Sequence, residues 1–377
     1  MAGIYCHIPF CKRACHYCNF YFSTSVGAKN DIVAALLKEM TIQRDYLEGE
    51  IVDTVYFGGG TPSILPAGQL SEILAAARTV FHVSQHAEIT LECNPDDVHS
   101  QSLNAWNEIG INRLSLGLQS FFDDDLRWMN RSHSANQALE SIRVVRAHGF
   151  DNFSVDLIYG FQLLTQSKWK ENVMKVLELG IPHVSCYGMT IEPNTALARL
   201  IARGAAEDID QSVQAEQFLL LMKWMKDAGF EHYEISNFAM PGFRSRHNSS
   251  YWQGKKYLGL GPSAHSYNGK TRQWNVSNNS LYTSGLRNGI LNFESENLSP
   301  TQRINEYIMT SLRTIEGCEL DVISNNFGDA IAAILEKATR KYIPDSLVRI
   351  GSRLVLNDQG KLFADDIASS LFFETLA

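Results

Sequence analysis

The sequence predicts an α/β protein: a parallel β-sheet curved into a partial barrel of about six β/α units, then a small α+β domain. First, β-rich runs alternate with helical patterns as far as about residue 235, a rhythm typical of parallel strands joined by helical crossovers. Second, six or seven such units favour a barrel over an open two-domain sheet. Third, the pattern changes after about residue 240. We therefore expect functional residues on loops at the carboxyl ends of the strands.

Seven short runs rich in β-branched and aromatic residues are the predicted strands. In chain order they are GIYCHI (3–8), DTVYFG (53–58), EITLEC (88–93), RLSLGL (113–118), FSVDLIY (153–159), HVSCYGM (183–189) and HYEIS (232–236). The first helix is predicted where apolar residues from Ile32 to Met40 recur on one helical face. The other predicted helices cover 67–81, 134–148, 165–180 and 208–229.

Beyond residue 240 the sequence predicts a different architecture. A Gly-, Asn- and Ser-rich stretch over 254–300 precedes helical patterns at 304–312, 319–325 and 328–342. The strand-like runs LVRIGS and RLVLND and a last helix from about Lys361 follow. That order predicts a winged-helix-like domain, for which we expect an interaction or capping role because its end is acidic. The predicted divisions are a barrel over 1–240, a connection over 241–300 and a C-terminal domain over 301–377.

Composition excludes several classes of protein. The chain has 377 residues, 45% hydrophobic and 20% charged, with a net charge of −8 and no basic run, so nucleic acid is not an expected partner. The N-terminus lacks the features of a signal peptide, and no apolar run reaches the roughly 18–20 residues that span a bilayer. The seven cysteines do not form a secreted disulfide pattern. We expect a cytoplasmic protein, with transient docking on a membrane as an open alternative, and no particular oligomeric state is indicated.

The strongest motif is the C-x3-C-x2-C run formed by Cys11, Cys15 and Cys18. Iron–sulfur clusters are normally held by four cysteines, and an open coordination position distinguishes catalytic metal centres from structural ones. Three thiolates therefore predict a 4Fe–4S cluster with one iron free for another ligand. The alternative is a structural zinc site completed by Cys6, His7 or His16.

The triplet, with an aromatic residue (Tyr17) just before its last cysteine, resembles the signature of the radical S-adenosylmethionine (SAM) superfamily. The resemblance extends over residues 3 to about 240. It implies a partial barrel in which the amino and carboxylate groups of SAM chelate the fourth iron. Electron transfer from the cluster can then cleave SAM.

The same resemblance implies a set of SAM-binding residues. It assigns the glycine-rich loop in YFGGGTPS (56–63) to the amino group of SAM, the carboxylates to ribose hydroxyls and Arg131 to the methionine carboxylate. The residues so assigned are Tyr5, Tyr17, Phe20, Gly58, Gly59, Gly60, Thr61, Glu92, Gln119, Arg131 and Asp156. Taken singly, each polar residue among them could instead be a cap or turn residue.

Within the superfamily, the strings IYCHIPFC, FGGGTPS, SLGLQSF, DLIYG and TIEPNT resemble one subgroup. It contains the oxygen-independent coproporphyrinogen III oxidases and the HemW-type heme chaperones. The oxidases typically carry C-x3-C-x2-C-x-C and an N-terminal extension, whereas this chain has Phe20 in place of the last cysteine and begins directly at the first predicted strand. The sequence therefore favours the chaperones.

A second string supports that choice. RHNSSYWQGKKYLGLGPSAHSY (246–267) contains H-N-x-x-Y-W, which resembles the heme-binding motif of the chaperones and consists of His247, Asn248, Tyr251 and Trp252. A neutral imidazole is a good iron ligand, and aromatic faces can stack on a flat macrocycle. We expect His247 to bind the iron, with His265 as a second candidate.

The resemblance implies heme as cargo, heme-dependent respiratory proteins as acceptors, and a reductant such as flavodoxin or ferredoxin. Two alternatives stay open. One is an enzyme, coproporphyrinogen III dehydrogenase, which makes protoporphyrinogen IX by radical SAM decarboxylation. The other is a catalytically silent scaffold with a structural metal in the triplet.

Overall fold

The structure is a computed structural model and describes residues 1–375. Fifteen strands form a large and a small sheet. They are β1 (Ala2–Ile8), β2 (Val52–Gly59), β3 (Val83–Cys93), β4 (Arg113–Gln119), β5 (Phe153–Tyr159), β6 (His183–Gly188), β7 (Glu231–Glu234), β8 (Asn237–Ala239), β9 (Tyr257–Leu260), β10 (His265–Tyr267), β11 (Thr271–Asn275), β12 (Phe293–Asn297), β13 (Cys318–Glu319), β14 (Leu347–Ile350) and β15 (Arg353–Leu356).

The helices occur where the periodicity predicts them, with additions such as α3 that the pattern did not reveal. They are α1 (Lys29–Ile42), α2 (Ala67–Val80), α3 (Ser100–Ile109), α4 (Asp123–Trp128), α5 (Ala135–Ala147), α6 (Gln166–Glu178), α7 (Ala196–Ala202), α8 (Gln211–Asp227), α9 (Arg246–Trp252), α10 (Asn279–Arg287), α11 (Pro300–Leu312), α12 (Leu320–Phe327), α13 (Asp329–Thr339), α14 (Asp358–Lys361) and α15 (Ala364–Ser369).

The large sheet has the order β12-β11-β10-β9-β1-β2-β3-β4-β5-β6-β8-β7. Strands β1 to β6 pair in parallel with their sequence neighbours. They are buried along most of their length, as expected of parallel strands covered on both faces. The predicted α/β fold with a parallel, partial-barrel sheet is confirmed, and the carboxyl ends of β1 to β6 lie at one edge of it.

Two strands depart from the predicted rhythm. The run at 232–236 forms β7, but it pairs antiparallel with β8, which is itself antiparallel to β6. The parallel arrangement is instead extended on the other side, where β9 pairs in parallel with β1. The sheet therefore continues beyond residue 240, through part of the predicted connection.

A second hydrophobic core belongs to the C-terminal helices and the small sheet β13-β15-β14. Residues from Ile304 to Leu371 form it. Arg313 joins this part to the large sheet through a salt bridge with Glu234 at 3.1 Å. The boundaries at 240 and 300 stay predictions. Across residues 1–375, no helix combines the length and apolar character needed to cross a membrane.

Candidate functional site

A cavity of about 460 Å³ opens at the carboxyl ends of the parallel strands, and we call it the strand-end cavity. All three cysteines of the triplet line it. Predicted residues on β2 to β5 and the following loops also line it: Gly59, Gly60, Thr61, Glu92, Gln119, Arg131 and Asp156, with Tyr17 and Phe20 from the cysteine loop. The structure thus brings together most of the predicted SAM-binding set.

The three thiols are free and partly exposed. The Thr61 hydroxyl donates to Cys11 Sγ at 3.7 Å, and the Arg131 guanidinium donates to Cys15 Sγ at 3.3 Å. Burial raises the pKa of Cys11 to about 11, so a metal must displace its proton on binding.

The cysteine loop is held from several sides by the rest of the site. Lys12 forms a salt bridge with Asp96 at 2.8 Å and a second one with Asp97. Asn130 donates to the carbonyl of Ala14 at 2.8 Å, and the imidazole Nδ1 of His16 lies 2.7 Å from the carbonyl of Trp128. These contacts fix the loop against the residues that follow β3 and α4.

The residues named as the fourth ligand of a zinc site do not line the strand-end cavity. Cys6 is buried in the core, and His7 Nε2 lies 2.9 Å from the carbonyl of Tyr21. Within residues 1–375, no group of three or more His, Cys, Asp or Glu side chains is close enough together to hold a single metal ion. A 4Fe–4S cluster spreads its thiolates over separate irons.

Arg131 is the most highly connected polar residue of the cavity. Its Nη2 donates to Asn94 Oδ1 and to the carbonyl of Gly117, each at 2.6 Å. Its Nε is buried and has no hydrogen-bond partner among the described residues. A buried donor without an acceptor suits a bound carboxylate, for which guanidinium geometry is well matched.

Two carboxyl groups lie in the cavity without a salt-bridge partner in the described part of the chain. Glu92 accepts a hydrogen bond from the hydroxyl of Tyr56 at 2.8 Å. Burial raises the pKa of Glu92 to about 7 and that of Asp156 to about 6. Carboxyl groups of this kind can accept hydrogen bonds from ligand hydroxyls, and strongly shifted acids in a cleft are typical of functional sites.

Strand β4 is distorted where it meets the cavity. Its pairing with β5 shifts register between Leu116 and Gln119, and Gln119 has a φ of 71°. Bulges next to functional sites redirect side chains, and a non-glycine residue in this conformation is strained. The distortion supports a functional role for Gln119.

Sequence reasoning missed several residues that line the cavity. They are Arg13, Asn19, Cys93, Asn94, Ser115, Gly117, Asn130, Ser132, Ile158, Tyr187, Gly188, Met189 and Thr190. A signal was available for some of them. Residues two apart on a strand share a face, so Glu92 indicates Asn94, Gln119 indicates Gly117 and Ser115, and Asp156 indicates Ile158.

The glycine-rich loop packs closely against neighbouring elements, and its contact with the amino group of SAM stays a prediction. A Cβ on Gly59 would lie 2.6 Å from the His7 ring, and one on Gly60 would lie 2.5 Å from the carbonyl oxygen of Phe10. Gly58, which does not line the cavity, would meet Tyr5 at 2.8 Å. The glycines thus let the loop pack against β1 and the start of the cysteine loop.

A second, larger cavity of about 910 Å³ lies between the β1, β9–β11 side of the sheet and helices α9, α11 and α12. We call it the aromatic groove because its walls include Tyr5, Phe20, Tyr21, Tyr251, Trp252, Tyr257, Tyr267, Tyr307 and Phe327. Tyr5, predicted to lie near SAM, lines this groove and not the strand-end cavity. Asn19 and Phe20 line both.

His247, the predicted iron ligand, is only 1% exposed and does not line the groove. Its Nδ1 lies 2.7 Å from the Thr54 hydroxyl and its Nε2 lies 2.8 Å from the Tyr251 hydroxyl. Burial lowers its pKa to about 3. Both ring nitrogens of His247 therefore have hydrogen-bond partners in this conformation, and its role as the iron ligand stays a prediction.

The other members of the predicted heme motif are placed differently. Tyr251 and Trp252 line the groove, whereas Asn248 does not. Tyr251 is backed by His247, whose ring it meets edge-on at a centroid distance of 5.0 Å. The motif therefore contributes two aromatic side chains to the groove wall and a histidine that supports one of them.

We compared the chain with protein families and with known proteins. The family model of the Radical SAM superfamily matches residues 5–173. The chain is 33% identical over 374 residues to heme chaperone HemW of Mycobacterium tuberculosis, covering 98% of this chain and 94% of that protein. It is 31% identical to heme chaperone HemW of Bacillus subtilis, covering 99% and 100% respectively.

A solved structure shows the same fold. The structure of coproporphyrinogen III oxidase (HemN) from Escherichia coli, a radical SAM enzyme, aligns with a TM-score of 0.84 at 22% identity. The alignment covers 99% of this chain and 90% of that one. Because the identity is low, this likeness bears on the fold alone.

Proposed function

Because the chain belongs to the HemW family of radical SAM proteins, we propose that it binds heme and delivers it to heme-dependent proteins. The observation that carries this proposal is the similarity to two heme chaperones over 98% and 99% of the chain. That span includes both cavities, so it is not explained by a shared SAM-binding barrel alone.

The arrangement of the two cavities supports a carrier. The strand-end cavity has the thiols and polar groups that a cluster and SAM require, and the aromatic groove leaves a separate volume of about 910 Å³ for a flat, mostly apolar cargo. Ligand sites of this size suit molecules as large as a porphyrin.

Cys11, Cys15 and Cys18 would hold the 4Fe–4S cluster, and Arg131, Glu92 and Asp156 would bind SAM through its carboxylate and ribose. When bound, the cluster supplies one-electron chemistry. Phe20, two residues after the last cysteine, lines both cavities. Its side chain would make cargo binding depend on whether the cluster and SAM are bound. We further propose a flavodoxin- or ferredoxin-type reductant, respiratory proteins as heme acceptors and a cytoplasmic location.

The test is an anaerobic hemin titration of the cluster-loaded protein, followed by mixing with a heme-free cytochrome. Saturable binding near one hemin per chain, with transfer that depends on the protein, is the expected result. Absence of saturable binding, together with turnover of coproporphyrinogen under reducing conditions with SAM, would replace the carrier with the dehydrogenase.

A further inference from the structure

His265 lines the aromatic groove. Neither nitrogen of its imidazole ring has a hydrogen-bond partner among the described residues. Its side chain is exposed on β10. Its ring stacks beside Trp274, the residue opposite it on β11, at a centroid distance of 6.1 Å. A ring oriented by a neighbour and free at both nitrogens is ready to bind a metal.

The other imidazole in the groove, that of His7, is already hydrogen-bonded at both ring nitrogens. His7 has one ring nitrogen 2.9 Å from the Tyr21 carbonyl and the other 3.3 Å from the Tyr5 hydroxyl. Burial raises the pKa of Tyr251 and Tyr257, so these phenols stay protonated and are poor iron ligands.

Two guanidinium groups line the groove, and one of them has no ion-pair partner among the described residues. Arg303 lines it, is exposed, and has no ion-pair partner in the described chain; its guanidinium lies 5.8 Å from the Phe327 ring centroid. Arg272 lies 4.8 Å above the Tyr267 ring and forms a salt bridge with Glu306 at 2.6 Å. Arginine is the side chain best suited to bind carboxylates.

A buried donor adds to this set. Trp252 lines the groove, and its Nε1 is buried with no hydrogen-bond partner within residues 1–375. Buried indole nitrogens normally have an acceptor. A bound carboxylate or other acceptor in the groove would supply it.

We propose that the aromatic groove is the cargo site, with His265 as the iron ligand and Arg303 as a partner of a propionate. This inference rests on the proposed function and adds the location and the ligand. Heme matches the groove in its flat apolar ring, its iron and its two carboxylates.

The test compares hemin binding by the cluster-loaded full chain and its His265→Ala variant, using the EPR signal of ferric heme to report the axial ligand. His265→Ala should abolish the imidazole-ligated signal and weaken hemin binding about 10- to 100-fold. Added imidazole should restore the signal. Arg303→Ala should weaken binding by up to about fivefold without changing the signal.

The matched control is His82→Ala, since His82 is also exposed but does not line the groove; it should bind hemin like the unaltered protein. An unchanged EPR signal in His265→Ala would overturn the site while leaving the carrier function intact. Loss of the signal in His247→Asn but not in His265→Ala would also overturn it. Absence of hemin binding by the unaltered protein would overturn the carrier function itself, and this site with it.

Discussion

The strand-end cavity and the aromatic groove meet at Asn19 and Phe20 but have different walls. The first lies at the ends of the parallel strands and is lined by thiols, carboxyl groups and a half-buried arginine. The second is larger, and its walls combine nine aromatic side chains with polar and charged ones. Buried polar groups fixed by hydrogen bonds suit a resident cofactor, whereas an open aromatic surface suits a cargo that must later leave. We therefore expect substitutions away from Asn19 and Phe20 to affect the two sites separately.

The largest difference between the two cavities is expected when Cys11, Cys15 and Cys18 are replaced together by serine. The variant should lose essentially all iron and sulfide, because no thiolate remains to hold the cluster. Hemin binding should persist, since no cysteine lines the aromatic groove. Metal and sulfide analysis beside the hemin titration checks both expectations.

Cys318→Ala is the control for this experiment, because Cys318 is buried in the C-terminal core. If the unaltered protein carried zinc without sulfide, the scaffold alternative would gain support. If the triple variant lost hemin binding, the two cavities would not be independent.

A smaller but still large effect is expected for His247→Ala. The substitution removes a buried ring and leaves the hydroxyls of Thr54 and Tyr251 without that partner, so it should lower the free energy of unfolding by about 2–4 kcal/mol. The EPR signal of bound hemin should still be that of an imidazole-ligated iron. Denaturant unfolding and EPR on the same sample measure the two effects, and a stable variant without that ligand would contradict the assignment.

In the strand-end cavity, Arg131→Lys should selectively weaken SAM binding. Lysine keeps the charge but lacks the guanidinium fork that donates to Cys15 Sγ from one nitrogen and to Asn94 and the Gly117 carbonyl from another. We expect roughly tenfold or greater loss of SAM affinity by calorimetry. Arg127→Lys, on the neighbouring helix α4 and not lining the cavity, is the control. Equal SAM affinity in both variants would remove Arg131 from the site.

Glu92 should make a modest contribution to the pH dependence of the protein's stability. Because burial raises its pKa to about 7, the folded chain holds it neutral where the unfolded chain ionises it. The resulting stability is present at low pH and is lost as the pH rises through about 7.

Glu92→Gln should therefore stabilise the SAM-free protein by about 1 kcal/mol at pH near 8.5 and have little effect at pH near 5. Thermal unfolding at both pH values measures it. Glu108→Gln, at an exposed position, should change neither value. A stabilisation by Glu92→Gln that is equal at both pH values would argue against this titration.

The smallest effect on stability is expected at the point where the cavities meet. Phe20 is 68% exposed, so Phe20→Ala should change the free energy of unfolding by no more than about 0.5 kcal/mol. Because its ring lines both cavities, the variant should nevertheless bind hemin more weakly. Leu281→Ala, another exposed apolar position, should leave hemin binding unchanged.

Local patterns in the sequence determined the parallel sheet and the centre of the strand-end cavity. Cys11, Cys15 and Cys18 lie close together in the chain. Glu92, Gln119 and Asp156 lie on strands whose alternation with helices is visible in the sequence. Parallel strands bring their carboxyl ends to one edge. Contiguous motifs on such strands therefore meet without any further information.

Tertiary structure alone decided the environments of two histidines. His247 and His265 belong to one string of the sequence, yet packing buries the first between Thr54 and Tyr251 and leaves the second free in the groove. The pairing of β9 with β1, and the C-terminal helices that carry Arg303 and Phe327, complete that groove from distant parts of the chain. Contacts between residues far apart in the chain determine which imidazole has free ring nitrogens. A local sequence pattern carries no information about such contacts.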